Sequence, residues 1–207
     1  MKKVFLALAM ALLISTSSFA QDIKTEAIDS LNTAQDFVKK GNYSKAIEEI
    51  NYALAKINEM TAADLLNFIP EAPQGFKLVN KNSQGVGSGA AIAGNAGATA
   101  QYTNDAGTTV DLNIAIGGMT GKMASLAALG SLFAGINPDG GAQQTLKIRV
   151  QGYTGTEVFS SGDRSGTLTF QVGEKTSVTI EGTDIGSTDV LMSLAKKIDF
   201  AGIEKNF

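Results

Sequence analysis

GVGSGAAIAGNAGATAQY, residues 85–102, admits three readings: a glycine loop that cradles phosphate, a flexible linker, or a strand stripped of side chains. The residues that follow decide between them. In TNDAGTTVDLNIAI, residues 103–116, Asn104, Asp105 and Gly107 carry a turn signal. Beyond the turn, Val110, Leu112, Ile114 and Ile116 alternate with Asp111, Asn113 and Ala115, the period of a half-buried strand. A hairpin centred on Ala106 pairs Tyr102 with Val110, Ala100 with Leu112, Ala98 with Ile114 and Ala96 with Ile116. Directly opposed residues share a face, so large aliphatic residues sit across from alanines and leave a shallow trough. Upstream, Gly85, Gly87 and Gly89 occupy odd positions and bare one face of any extended segment that forms there.

The phosphate-loop alternatives fail on context. Gly85, Gly87 and Ala90 satisfy G-x-G-x-x-A, but no parallel strand, crossover helix or suitably spaced acidic residue surrounds them. GMTGKM, residues 118–123, lacks both the earlier glycine and the Ser or Thr after Lys122 that a phosphate loop requires.

The same alternation returns in TLKIRV (Leu146, Ile148, Val150), TLTFQV (Leu168, Phe170, Val172) and SVTIE (Val178, Ile180). Two helical segments accompany these strands. GKMASLAALGSLFAGI, flanked by Met119, is apolar on nearly all sides and must be covered on nearly all sides. It packs between the sheet and the N-terminal helical hairpin, or it forms with Met119, Met123, Leu126, Phe133, Ala98 and Ala100 a groove for an apolar ligand or partner segment, to which the adaptable methionines are suited. STDVLMSLAKKIDF places Leu191, Leu194, Ala195 and Ile198 on one core-facing stripe. The expectation for residues 70–207 is an antiparallel β-sheet flanked by helices, an α+β domain.

Upstream of PEAPQGF, residues 70–76, the texture changes to charged and nearly glycine-free. Pro70 and Pro73 cannot continue a helix, so the domain boundary is placed there. In residues 21–69, Ile28, Leu31, Ala34, Phe37 and Val38 recur at helical spacing, Gly41 and Asn42 interrupt, and Tyr43, Ala46, Ile47, Ile50, Ala53, Leu54 and Ile57 resume it. That spells a helical hairpin. A third short helix is expected from Thr61, with Asp64 at the capping-box position.

The first twenty residues read as a secretory signal: MKK, an apolar run from Val4 to Ile14, then small and polar residues to Ala20, where cleavage is expected. The apolar run falls short of the roughly 18 residues of a spanning helix, and no membrane span is expected elsewhere. The localisation this implies is the periplasm. Of 17 basic residues, Lys2 and Lys3 leave with the leader, and the rest face 20 acidic ones, so nucleic acid is a poor partner. The chain has no cysteine and no histidine. There is thus no disulfide staple, and the commonest general base and metal ligand is missing. Carboxylate pairs, Ser with Lys, or an oxygen-ligand metal site remain, and none shows a recognisable spacing, so no catalytic residue, metal ligand or cofactor is assigned. Asp105, Asp111, Asp139, Asp163 and Asp184 fall mostly in turns, where an aspartate bonds its own backbone.

FVKKGNYSKAIEEINYALAKI resembles a tetratricopeptide repeat, with Ala34, Phe37, Gly41, Tyr43, Ala46, Ile50 and Ala53 on the positions that motif fills and Asn58 where it has proline. A single copy implies either a hairpin packed on the rest of the chain or a surface that recruits a protein partner. Pro70, Pro73, Gly75 and Phe76, with VTIEG (178–182) and IDF (198–200), resemble a family of uncharacterised exported bacterial proteins. The layout of residues 70–207 is similar to the PsbP or Mog1 sandwich, which implies a binding or assembly module rather than an enzyme. A carrier of a small apolar ligand is the competing expectation.

Overall fold

In the computed structural model of the chain, residues 15–85, 96–117 and 143–207 are described. Two compact units emerge, residues 1–60 with 85–91 and residues 61–84 with 92–207.

The first unit is a helical hairpin. Helix α1 is Ser15–Lys39 and helix α2 is Tyr43–Leu65, the last turn of which belongs to the second unit. α1 therefore runs across the cleavage position expected after Ala20. Gly41, at φ 74°, closes α1: its amide donates to the Val38 carbonyl and the Asn42 amide to the Phe37 carbonyl, a left-handed helix end that a side chain with a Cβ resists. The expected break before Thr61 is absent. No glycine or proline lies between Gly41 and Pro70 to interrupt the helical ladder, so α2 continues to Leu65 and closes in a 3₁₀ turn, Leu66–Phe68.

The second unit is a seven-stranded sheet with helices. Its strands are β1 Phe76–Gly85, β2 Ala96–Asn104, β3 Thr109–Ile116, β4 Gln143–Val150, β5 Tyr153–Ser160, β6 Ser165–Val172 and β7 Thr176–Thr183. The order is β1-β2-β3-β7-β6-β5-β4, so two meanders join where β7 docks antiparallel on β3. The β2–β3 register is the one expected: Ala96 faces Ile116, Ala98 faces Ile114, Ala100 faces Leu112 and Tyr102 faces Val110. The α+β class holds. Two strands had no alternating signature. β1 is an edge strand with Leu78 and Val79 both exposed, and β5 turns Gly155 and Glu157 toward the core.

One face of the sheet is the core. Across β2, β3, β7 and β6 it presents the row Ala98, Ile114, Val178 and Phe170 and the row Ala100, Leu112, Ile180 and Leu168, all of them buried. Helix α3, Asp189–Ala195, closes on that face with Leu191, Leu194 and Ala195 buried. Its seat is a dimple made by the cross-strand pair Gly166 and Gly182. A Cβ on Gly182 would lie 2.9 Å from both Ile185 and Leu191 side-chain carbons, so only glycine lets the segment come this close. The expected last helix is two. α3 stops at Ala195, where the Gln151 amide donates to the Lys196 and Ile198 carbonyls, and α4, Phe200–Asn206, restarts with the Asp199 carboxylate accepting from the Gly202 amide at 2.9 Å. Ile198, Phe200 and Ile203 complete the core together with Ala62, Leu65 and Ile69.

Candidate functional site

The hairpin is held by its smallest residues. Ala27, Ser30 and Ala34 of α1 and Ala46 and Ala53 of α2 are buried. The Ser30 hydroxyl donates to the Glu49 backbone carbonyl at 3.0 Å and also to the Glu49 carboxylate, which fixes the facing register of the two helices. Alanines let the helix axes approach closely, and the close approach strands the larger aliphatic residues beside the seam. Ile28, Leu31, Val38, Ile47, Ile50, Leu54 and Ile57 are 39–57 % exposed. Helical spacing alone groups these residues with the alanines as one apolar stripe. The structure separates the stripe into a buried alanine seam and a bare aliphatic one.

Both aliphatic seams lie on the same side. Ile28 follows Ala27, Ile47 follows Ala46 and Leu54 follows Ala53. In an antiparallel pair a step of one residue past the contact line rotates both helices toward the same face. The residues one step before the contact line fall on the opposite face, and there the polar groups gather. The Lys56 ammonium bridges Glu26 at 2.8 Å, the Tyr52 hydroxyl donates to Glu26 at 2.9 Å, and the Lys45 ammonium lies 5.6 Å from the centroid of the Phe37 ring. The hydrogen bond from Lys56, then the one from Tyr52, hold the Glu26 carboxyl below its usual range; the same Glu26 bonds raise Lys56 and Tyr52. One face of the hairpin thus carries a polar network, and the other is half-exposed aliphatic surface.

The sheet unit has a second surface of different chemistry. On the side away from the core, Thr99, Asn113, Thr179, Thr169, Thr156 and Lys147 form one row across six strands. Gln101, Asp111, Glu181 and Thr167 run beside it. A concavity of about 450 Å³ opens here, lined by Asn80, Thr99, Gln101, Asp111, Asn113, Thr179 and Glu181 among others. Its groups can hydrogen-bond a polar ligand but supply no nucleophile activated by a base. Asp111 and Glu181 oppose each other directly, and Asp111 is partnered by the Gln101 amide at 2.9 Å. Among the described residues no group of three or more acidic side chains could hold a metal ion.

Of the apolar groove expected from the sequence, Met119, Met123, Leu126 and Phe133 lie outside the described residues. Ala98 and Ala100 are 0 % and 3 % exposed and belong to the core cluster of the sheet unit. Tyr102, at the end of the same alanine row, is fully buried, and its hydroxyl donates to the Pro70 carbonyl at 2.8 Å; burial pushes its pKa up to about 12. Among the described residues no helix is long and apolar enough to cross a membrane. Compared with known proteins, the chain matches no family model, no curated protein and no solved structure.

Proposed function

We propose that this protein is a non-enzymatic binding or assembly module, exported to the periplasm, whose helical hairpin is the recruiting surface. The observation that carries the reading is the exposed aliphatic face of that hairpin. Seven large aliphatic side chains left 39–57 % exposed on one side, while alanines do the packing, form a contiguous apolar patch of the kind that marks an interaction site. The likeness of this segment to a tetratricopeptide repeat agrees, because one such unit cannot bury its apolar faces alone. The sequence layout of residues 70–207, which resembles the PsbP or Mog1 sandwich, implies the same role, since domains of that type mostly serve as binding or assembly modules. The absence of histidine and cysteine from the whole sequence agrees with a role other than acid–base or nucleophilic catalysis.

Native mass spectrometry of the purified chain, before and after denaturation, tests the reading. A protein-sized additional mass supports it. A bound mass of a few hundred daltons that is lost on denaturation refutes it in favour of a small-ligand carrier.

A further inference from the structure

The exposed seam has the spacing of a coiled-coil contact. On α2, Tyr43, Ile47, Ile50, Leu54 and Ile57 recur at alternating steps of four and three. On α1, Ile28, Leu31 and Val38 keep the same pattern, with Gln35 at the one polar position. Both rows lie on one side of the hairpin, so the face is two helices wide and mostly apolar. We propose that a second copy of this chain covers it, the two hairpins joining through these faces as a four-helix bundle.

Three observations favour a second copy over another occupant. The first is area. Seven half-exposed aliphatic side chains present on the order of 600 Å² of apolar surface per copy, so two copies cover roughly 1,200 Å², the threshold of a specific interface before any polar rim is added. The second is charge. The exposed positions that flank the seam in the heptad pattern are Asn32, Lys39 and Asn51, Asn58 being buried already, while Glu26 and Glu59 sit with Lys56 in the network on the polar side. An acidic chain therefore meets its own copy here without rows of opposed carboxylates. The third is pattern. A twofold contact needs one self-complementary patch, and alternating three and four spacing on both helices supplies it from a single chain.

The inference rests on the assembly reading of the hairpin and commits it to one partner. Sedimentation velocity of the purified chain over roughly 1 to 100 µM tests it. The expected result is a dimer that dissociates on dilution. Ile50→Glu and Leu54→Glu each raise the dissociation constant by at least about 100-fold, because the twofold axis buries two new charges at once, while Glu26→Gln on the polar face leaves it unchanged. Helix content by circular dichroism accompanies each variant. An independent readout uses the absence of cysteine: oxidation crosslinks copies carrying Ile47→Cys, Ile50→Cys or Leu54→Cys in at least one case, and never copies carrying Tyr52→Cys. A monomer at 100 µM overturns the inference, as does a dimer indifferent to both glutamates or crosslinked through position 52. A monomer that carries a different protein overturns the second copy alone and leaves the assembly reading standing; a small-molecule adduct overturns that reading instead.

Discussion

Gly155→Ala tests how the core face of the sheet is built. Gly155 sits on β5 between Phe170 of β6 and Ile148 of β4. A Cβ there would lie 2.5 Å from Phe170 Cδ1, 2.7 Å from its Cε1 and 2.7 Å from the Thr169 carbonyl oxygen. Neither neighbour gives way readily. Phe170 is fully buried with its ring centroid 5.1 Å from that of Phe200, Phe200 is 5.3 Å from Tyr153, and the Tyr153 hydroxyl is held by Glu204. Overpacking of this kind costs about 1–3 kcal/mol, and the entropy that alanine removes from the unfolded chain returns about 0.4–1. The net expectation is a loss of about 1.5 kcal/mol, read as a fall in Tm of roughly 3–6 °C for a chain of this length. Urea unfolding followed by far-ultraviolet circular dichroism measures it. Phe170→Leu alone costs about 1–2 kcal/mol but removes the ring that the new methyl meets. The double variant is therefore less destabilised than the two single effects added, by about 1 kcal/mol. Gly162→Ala, with nothing within 4 Å of its Cβ, is the control and stays within about 0.5 kcal/mol of the wild type. A neutral Gly155→Ala, or strict additivity with Phe170→Leu, refutes the claim that the aromatic cluster dictates glycine.

Tyr102 carries a pH prediction. Its pKa is raised from 10.0 to about 12 by burial, so the folded state holds the proton more tightly than the unfolded state. Its contribution is fully present below pH 10 and is lost as pH rises from there through about 12, on the order of 2–3 kcal/mol; Tyr102→Phe flattens that alkaline limb in urea melts and, by removing the bond to Pro70, costs about 1 kcal/mol at pH 7. For Glu26, depressed by Lys56 and then by Tyr52, the sign is opposite: its stabilisation is present above the ordinary carboxylate range and fades as pH falls through the folded pKa, so Glu26→Gln weakens the acid dependence of hairpin unfolding followed by a hairpin-specific probe. Glu181 faces Asp111 directly across β7 and β3, and Glu181→Gln stabilises the sheet unit by about 0.5 kcal/mol at low salt, an effect that shrinks in 0.5 M salt in the same urea assay. Ala53→Leu places bulk in the hairpin seam, where Ala53 is fully buried, and costs about 1–3 kcal/mol, whereas Leu54→Ala on the exposed seam changes the unfolding of the monomer by less than about 1.

Local pattern carried much of this fold. The turn at Asn104 to Gly107 and the period of two in β2 and β3 set their register to the residue, because a slip of one position would turn Leu112 and Ile114 to solvent. The period of two also marked β4, β6 and β7 as strands, and helical spacing marked the buried stripe of α3, without fixing their pairing. β1 and β5 escaped detection for a physical reason: an edge strand with adjacent Leu78 and Val79 shows no alternation, and β5 fills core positions with Gly155 and Glu157 because a ring and a helix come to meet them.

What the chain's own order determined was the type of most elements, the β2–β3 register and the hairpin turn, all consequences of spacing between near neighbours. Tertiary structure alone decided which apolar residues are covered. Helical periodicity places Ala46 beside Ile47 and Ala53 beside Leu54 on one stripe, about 100° apart around the axis. Only the approach of α1 selects the alanines for burial and leaves the aliphatic neighbours bare, because close helix packing requires small side chains at the contact line, and which line is in contact is a property of two helices rather than of either one.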